Sequence, residues 1–173
     1  MVRLIAVSDT HGDREILATI LTQQPGADAY LYAGDAELSA TDPLFDTYQA
    51  VRGNMDFDAG FPYTRTLDVA GVRVFLTHGH RYGVNYQLEE LVEAGQAANA
   101  DLVVFGHTHQ LGVEQHAGMV LLNPGSISQP RGQFASLHGT YAVIDVTPTA
   151  ITVTYHLRDG ALAPDLQRTF ARG

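Results

Sequence analysis

Five short predicted strands of this 173-residue chain are each followed by side chains that can bind a metal ion. They span residues 2–7, 28–33, 49–52, 72–77 and 101–105. Four of them have the apolar content typical of buried strands, and residues 49–52 form a short extended stretch. In open α/β sheets, binding sites form beyond the carboxyl ends of the strands. The sequence therefore predicts that the polar residues after these strands gather in one place: Asp9, His11, Asp35, Asn54, His78, His80, His107 and His109.

Each of these motifs also has a simpler explanation when it is taken alone. Ser8 or Asp9 can cap the helix that follows, and Gly-Asn at Asn54 is common turn chemistry. A single histidine among apolar residues is usually a core histidine whose ring bonds to the backbone. The same layout of strand and ligand, repeated five times, favours a divalent-metal site over these explanations.

The order of the predicted elements indicates an α/β fold. Helices are predicted at residues 14–24 and 86–98, each with an apolar stripe at helical spacing, and residues 41–48 form a weak helix or turn. Two sheets packed face to face with helices outside fit this order, and the length fits one domain over residues 1–173. The other strands are predicted at residues 64–69, which form a hairpin with 72–77, and at 112–115, 119–122, 141–146 and 151–156.

Composition narrows the functions that such a chain can serve. It has no cysteine and all ten cationic residues are arginine, which excludes Cys-ligated zinc, a P-loop lysine and Schiff-base chemistry. The net charge of -9, without any basic run, disfavours long nucleic acids and membranes as partners. A small molecule or short oligomer fits better. No signal-peptide pattern is present, so a cytoplasmic location is expected, and the oligomeric state is left open, a homo-oligomer included.

Taken in chain order, the motifs resemble those of the calcineurin-like metallophosphoesterase superfamily. They are Asp-x-His from Asp9, Gly-Asp at Asp35, Gly-Asn-Met-Asp around Asn54, His-Gly-His from His78 and Gly-His-Thr-His around His107. The Met form of the third motif and the segment Asn-Pro-Gly-Ser at residues 123–126 are most similar to the small YfcE-like phosphodiesterases of bacteria and archaea. The resemblance implies a four-layer αββα sandwich.

The same resemblance implies a dinuclear centre. Asp9, His11 and His109 would bind one divalent ion, Asn54, His78 and His107 a second, and Asp35 would bridge the two. Nitrogen and oxygen ligands without sulfur suit manganese, nickel, iron, cobalt and zinc equally well. Manganese is the metal that we expect. Two such ions clamp a phosphoryl group and supply a hydroxide at neutral pH. The implied activity is hydrolysis of small phosphodiesters by a metal-bridging hydroxide.

The chain departs from many members of the superfamily at Met55, where they carry a histidine that can stabilise the transition state or protonate the leaving group. A thioether can do neither, so His80 is the candidate substitute, with support of the site as its alternative role. Asp56 is a candidate for orienting a ligand. Two residues are candidates for binding a phosphate oxygen, namely Asn54 and Arg131. A structural role is the alternative for Arg131. The catalytic set is therefore expected to comprise Asp35, Asn54, His80 and Asp56.

Two alternatives to a small-molecule phosphodiesterase remain open. One is a nuclease or nucleotide pyrophosphatase that acts on short substrates. The other is a non-catalytic protein-binding scaffold, as in the retromer subunit of the superfamily, whose metal site is degraded. All seven ligand positions are filled in this chain, including His11, and this favours an enzyme.

Overall fold

Two β-sheets form the centre of the fold in the computed structural model, which describes residues 1–173. Two α-helices, α1 (Arg14–Gln23) and α2 (Glu89–Ala97), and two 3-10 helices, Pro43–Asp46 and Gly132–Leu137, connect the strands. The eleven strands are β1 (Val2–Val7), β2 (Ala29–Tyr32), β3 (Tyr48–Ala50), β4 (Thr64–Val69), β5 (Val72–Thr77), β6 (Leu102–Val104), β7 (Gly112–His116), β8 (Met119–Asn123), β9 (Thr140–Val146), β10 (Ala150–Leu157) and β11 (Arg168–Ala171).

Both sheets are mixed, and each has a parallel part. The six-stranded sheet has the order β11-β10-β9-β1-β2-β3, in which β1, β2 and β3 run parallel. The five-stranded sheet has the order β4-β5-β6-β8-β7, in which β5, β6 and β8 run parallel. The carboxyl ends of parallel strands meet at one edge of a sheet, so the loops after these six strands lie together.

The core lies between the two sheets, and alternation along the strands explains why. Leu4 and Ala6 of β1 face inward and join a cluster with residues of the second sheet such as Val74 and Leu102. Ile5 and Val7, one position along, belong to a separate cluster on the other side of the first sheet. Side chains two apart on a strand share a face, so each sheet is apolar on both faces and must be covered on both.

The helices cover the two outer faces. Leu17 and Ile20 of α1 are fully buried against the outer face of the first sheet. Leu91 of α2 is fully buried beside Phe75 and Val103 on the outer face of the second. The layers therefore run helix, sheet, sheet, helix, and the predicted α/β sandwich is confirmed.

Several predicted boundaries differ from the structure. The second helix starts at Glu89 rather than at residue 86, because the Gln87 side-chain oxygen accepts the backbone N–H groups of Glu89 and Glu90 and so begins the helix there. The weak helix around Pro43 is the short 3-10 helix, after which β3 begins at Tyr48. Strand β11 was not predicted. Neither helix has the length and apolar composition needed to cross a membrane.

Candidate metal centre

The predicted ligands follow five of the six parallel strands. Asp9 and His11 come after β1, Asp35 after β2, and the remaining ligands after β3, β5 and β6. Five of them have a left-handed backbone, with φ between 48° and 71°, which costs a residue with a side chain roughly 1–2 kcal/mol each. Such strain typically concentrates at functional sites. These five are Asp9, His11, Asp35, His107 and His109.

Four of the ligands form the first group. One ligand atom from each of Asp9, His11, Asp35 and His109 lies within 4.8 Å of all the others. The Nε2 atoms of His11 and His109 are 3.1 Å apart. Two imidazole nitrogens at that distance, with two carboxylates beside them, match the donor set of a divalent ion with nitrogen and oxygen ligands.

A carboxylate oxygen of Asp9 supports this interpretation. Asp9 Oδ2 accepts hydrogen bonds from the Ser8 hydroxyl and from the His107 backbone N–H. Asp9 Oδ1, in contrast, is buried and has no hydrogen-bond partner. Oδ1 lies 3.3 Å from His109 Nε2 and 3.8 Å from Nε2 of both His11 and His78. A buried carboxylate oxygen without a hydrogen bond is costly, and a cation held by these imidazoles would satisfy it.

The second group is centred on the side-chain oxygen of Asn54. Asn54 Oδ1 lies 3.0 Å from His78 Nε2 and 3.0 Å from His107 Nδ1. His78 Nε2 is also 3.2 Å from Asp35 Oδ2. Asp35 therefore belongs to the first group and contacts the second, which is the arrangement that a bridging carboxylate requires.

Each histidine of the two groups has a polar group near its other ring nitrogen, and a hydrogen bond there orients the ring. His78 Nδ1 lies 2.6 Å from the carbonyl oxygen of Ala33 and His109 Nδ1 lies 2.7 Å from that of Gln129, so both rings direct Nε2 at the centre. His11 Nδ1 is 3.6 Å from a carboxylate oxygen of Glu37. His107 is reversed: Nδ1 faces Asn54, and Nε2 lies 3.0 Å from the side-chain amide nitrogen of Asn85.

The charges of Asp35 and His78 are coupled. Burial raises the pKa of Asp35, but its hydrogen bond and ion pair with His78 outweigh this and hold that pKa below its ordinary value. Burial lowers the pKa of His78, but the carboxylates of Asp35 and Asp9 outweigh this and raise it. An ion that binds His78 must displace a proton, so its affinity is expected to fall at low pH.

Two glycines allow the loops to approach this closely. A Cβ at Gly53 would overlap the carboxylate of Asp35, and a Cβ at Gly106 would overlap the hydroxyl of Ser8 and lie 2.6 Å from Asp9 Oδ2. Both glycines come directly before a proposed ligand, at Asn54 and His107. Any larger residue at either position would displace a carboxylate of the centre.

Asp56 lies behind the centre rather than in it. Its buried carboxylate accepts backbone N–H groups from Asp35 at 2.9 Å, Gly53 at 2.7 Å and Glu37 at 2.9 Å. It thus ties the loop after β2 to the loop after β3. Ser126 acts similarly after β8, because its hydroxyl donates to the backbone carbonyl of Asp9 at 2.8 Å.

His80 is next to the second group. Its ring centroid is 5.4 Å from that of His78 and 6.1 Å from that of His107. Burial and the neighbouring charges of these two rings lower the pKa of His80 to about 4, and its Nδ1 is buried without a hydrogen bond. At pH 7 this imidazole is neutral, so it is a weak proton donor.

Arg131 and Met55 line an open cleft of about 420 Å³ over the centre. Met55 is 41% exposed, and its backbone N–H donates to Asp35 Oδ1 at 2.8 Å. A larger groove of about 520 Å³ borders the centre through Asn85, but it contains none of the predicted ligands. The cleft itself is lined by His11, Asp35, Glu37, Asn54, Met55, His107, His109, Gln129 and Arg131.

Sequence reasoning missed the partners of three histidines, which are Asn85, Glu37 and Gln129. None of them lies in a motif, and each is far along the chain from its histidine. Ser126 and Asn123 lie in the Asn-Pro-Gly-Ser segment, which indicated their neighbourhood but no role. His116, His138 and His156, to which no function was assigned, lie outside the cleft.

Comparison with protein families gives an independent result. A model described as the calcineurin-like phosphoesterase superfamily domain matches residues 2–149. The chain is 32% identical over 165 residues to YsnB, a probable metallophosphoesterase of Bacillus subtilis strain 168, with 95% of this chain and 96% of that protein covered. It is 30% identical over 166 residues to the phosphodiesterase YfcE of Escherichia coli K12, with 80% and 86% covered.

Solved structures agree. A predicted phosphoesterase from Streptococcus pneumoniae TIGR4 superposes with a TM-score of 0.94 at 32% identity, covering 99% of this chain and 98% of the other. Vps29 from Chaetomium thermophilum superposes with a TM-score of 0.76 at 16% identity, covering 100% of both chains. The second likeness, at that identity, shows a shared fold alone.

Proposed function

Because the chain belongs to the calcineurin-like phosphoesterase superfamily, we propose that it is a phosphodiesterase that hydrolyses small phosphodiesters at a centre of two divalent ions. The observation that carries this proposal is the position of Asp35. Its carboxylate contributes to the first group of ligand atoms and lies 3.2 Å from His78 of the second. One carboxylate shared by two sets of donors is suited to a pair of ions.

The proposed ligands follow the two groups. Asp9, His11 and His109 would hold one ion, Asn54, His78 and His107 the other, and Asp35 both. Paired divalent ions supply a nucleophile at neutral pH and neutralise the phosphoryl oxygens. Manganese is the first candidate, and the nitrogen and oxygen donors suit nickel, iron, cobalt or zinc equally well.

The residues of the chain itself position the reacting groups. The backbone N–H of Met55 and the buried carboxylate of Asp56 hold the loop that carries Asn54 against Asp35. The Asn54 amide nitrogen and the Arg131 guanidinium, both in the cleft, are proposed to donate hydrogen bonds to phosphate oxygens. Two divalent ions beside two carboxylates leave the centre cationic, which suits a phosphodiester monoanion.

Two alternatives are less well supported. A scaffold without catalysis has no need of a buried, unpartnered carboxylate oxygen such as Asp9 Oδ1. A nuclease or nucleotide pyrophosphatase would use the same centre, so substrate assays distinguish it. We also propose that residues 1–173 form one domain, because the largest buried cluster contains residues of both sheets. The expected cytoplasmic location stays a prediction that cell fractionation would test.

Metal analysis and a single substitution test the proposal. The purified protein, loaded with Mn²⁺, is expected to bind two ions per chain and to hydrolyse bis(p-nitrophenyl) phosphate, with activity lost on chelation. Asp35→Asn should weaken binding of both ions and reduce kcat/KM by at least about 100-fold. Asp46→Asn, an exposed position on the first 3-10 helix, is the control. An Asp35→Asn variant with two ions and wild-type turnover would show that the ligand assignment is wrong.

A further inference from the structure

Two arginines lie on one tyrosine ring beside the metal centre. The Arg81 guanidinium carbon is 4.4 Å from the centroid of the Tyr63 ring, and that of Arg52 is 5.4 Å from it. Tyr63 is 40% exposed and Arg81 is exposed. We call these residues the Arg52–Tyr63–Arg81 cluster. A guanidinium that stacks on the face of an aromatic ring is held by cation–π attraction. Its N–H groups then stay free to donate hydrogen bonds.

The cations of this cluster are not used in ion pairs. Four of the ten arginines bind carboxylates at 3.3 Å or less, but neither Arg52 nor Arg81 is among them. Arg52 Nε donates only to the backbone carbonyl of Asp56 at 3.2 Å. The Asp58 carboxylate already accepts hydrogen bonds from the backbone N–H groups of Ala40 and Gly60, which lower its pKa. The positive charge of Arg52 also helps to lower the pKa of Asp58. In a chain of net charge -9, two such cations on one ring form a local site for an anion.

The cluster is joined to the metal centre by short contacts. The Tyr63 ring lies 5.9 Å from the His80 ring, which lies 5.4 Å from the ring of the proposed ligand His78. Asp56 makes a second connection, because it accepts Arg52 Nε through its carbonyl and the Asp35 backbone N–H through its carboxylate. The two guanidiniums are therefore held on the His78 side of the centre. Arg131, which lines the cleft beside His109, is not part of this cluster.

We propose that the Arg52–Tyr63–Arg81 cluster binds a second phosphate group of the substrate. The preferred substrates would then be phosphodiesters that also carry a phosphomonoester, as in a nucleoside whose 5′-phosphate is esterified to a second group and whose 3′-hydroxyl carries a phosphate. This inference rests on the proposed phosphodiesterase function. Guanidinium groups match phosphate because their planar N–H donors bind two oxygens at once.

Equilibrium binding tests the cluster without turnover. The Mn²⁺-loaded protein is titrated with thymidine 5′-monophosphate and with thymidine 3′,5′-bisphosphate, which differ by one phosphate. We expect the wild-type chain to bind the bisphosphate about tenfold more tightly at low salt, as one charge-assisted contact would give. Arg81→Ala should bring this preference to about twofold or less, and Arg81→Lys should retain part of it. The preference should also shrink as salt rises.

Arg168→Ala is the matched control, since Arg168 is exposed and its guanidinium contacts only the backbone carbonyls of Asp165 and Gln167. That variant should keep the wild-type preference. Equal affinities of the wild-type chain for the two nucleotides would overturn the proposal, and so would a preference that survives in the Arg52→Ala, Arg81→Ala double variant.

Kinetics separate this proposal from the proposed function. The p-nitrophenyl esters of thymidine 5′-phosphate, with and without a 3′-phosphate, share one leaving group. The 3′-phosphorylated ester should have a KM about tenfold lower, and this advantage should disappear in Arg81→Ala while bis(p-nitrophenyl) phosphate is hydrolysed as by the wild type. If all three compounds are hydrolysed without that advantage, the proposed role of the cluster is rejected and the phosphodiesterase function stands. Hydrolysis of none of them rejects the phosphodiesterase function, and the nucleotide titration then still decides whether the cluster binds the second phosphate.

Discussion

Individual residues of the centre are held in conformations that would be unfavourable elsewhere. Five of the seven proposed ligands have a left-handed backbone, which side chains of L-amino acids avoid for steric reasons. The surrounding contacts hold them there, such as the bonds of Asp9 to the Ser8 hydroxyl and the His107 backbone. Changes to the neighbours of the ligands should therefore weaken metal binding even though they remove no ligand.

Gly106→Ala tests this at a position that is not a ligand. The added Cβ would meet the Ser8 hydroxyl and Asp9 Oδ2, so both side chains must shift from their present positions. We expect at least a tenfold loss of affinity for the first ion and a comparable loss of kcat/KM. Gly112→Ala, where a Cβ meets nothing within 4 Å, is the matched control and should behave as the wild type. Unchanged metal content and activity in Gly106→Ala would contradict the proposed position of Asp9.

Asn85 offers a second test, because it contacts a proposed ligand without being one. When His107 Nδ1 binds an ion, its Nε2 carries the proton and needs an acceptor. Asn85 Nδ2 faces that nitrogen at 3.0 Å, so we expect the Asn85 amide to turn over and present its oxygen when the ion binds. Asn85→Ala should weaken binding of the second ion by about 10- to 100-fold, whereas Asn85→Asp should retain or strengthen it. Calorimetric titration with Mn²⁺ measures both. Tyr86→Ala, at a neighbouring position that is 92% exposed, should bind as the wild type, and equal affinities in all four proteins would count against the role of Asn85.

Met55 sets the expected dependence on the leaving group. Since a thioether donates no proton and the His80 ring is neutral at pH 7, expulsion of a poor leaving group lacks the help that general acids provide, typically about 10²- to 10⁴-fold. We expect kcat/KM to fall steeply as the pKa of the leaving group rises. Met55→His should flatten this dependence, because position 55 lines the cleft. A flat wild-type series that becomes steep only in His80→Ala would instead identify His80 as the acid.

At the level of helices and strands, the centre depends on loops that are tied to one another by side chains. The carboxylate of Asp42 joins the start of α1 to the first 3-10 helix. It accepts Arg14 Nε at 2.7 Å and Arg14 Nη2 at 3.0 Å, and also the backbone N–H of Leu44 at 3.0 Å. This contact helps to hold the segment that follows Asp9 and His11 in the chain.

The Asp42 contact makes stability depend on pH. The hydrogen bonds from Arg14 hold the pKa of Asp42 below its ordinary value, so the folded state favours the ionised form. This contribution is present above the unfolded-state pKa of about 3.9 and disappears as the pH falls through the lower folded-state value. Asp42→Asn should therefore unfold at lower urea concentrations than the wild type at pH 7, and the difference should close below about pH 4. Asp46→Asn is the control, and a difference independent of pH would exclude this explanation.

For the molecule as a whole, charge limits the partners. The net charge is -9, and four of the ten arginines are paired with carboxylates. Long nucleic acids bind through many phosphate contacts with clustered cations, which this chain lacks. We therefore expect a short substrate with one or two phosphates.

Binding of duplex DNA should accordingly be negligible at physiological salt. A fluorescence anisotropy titration of a labelled duplex, with the metal-loaded protein and with EDTA present, measures this directly. No saturable binding is expected up to about 100 μM protein, the weak end of nonspecific affinities. Micromolar binding would favour the nuclease alternative.

Local sequence patterns were sufficient for the fold class and the family. Strands β1, β5 and β6 and helix α1 were predicted within one residue at each end, because period and apolar content depend on neighbouring residues. The two-sheet arrangement and the superfamily were confirmed. The ligand assignments rested on the resemblance and stay a prediction, although the side chains do lie together.

Contacts between distant parts of the chain could not be predicted in the same way. Strand β11 is mostly exposed and has no strong pattern, so only its pairing with β10 makes it a strand. Asn85 meets His107, and Arg52 and Arg81 meet Tyr63, because the two sheets and their loops pack in one particular arrangement. The types of the ligands and their order are local properties of the chain. Which nitrogen of each histidine faces the centre, and which cations stand free beside it, depend on side chains brought together by folding.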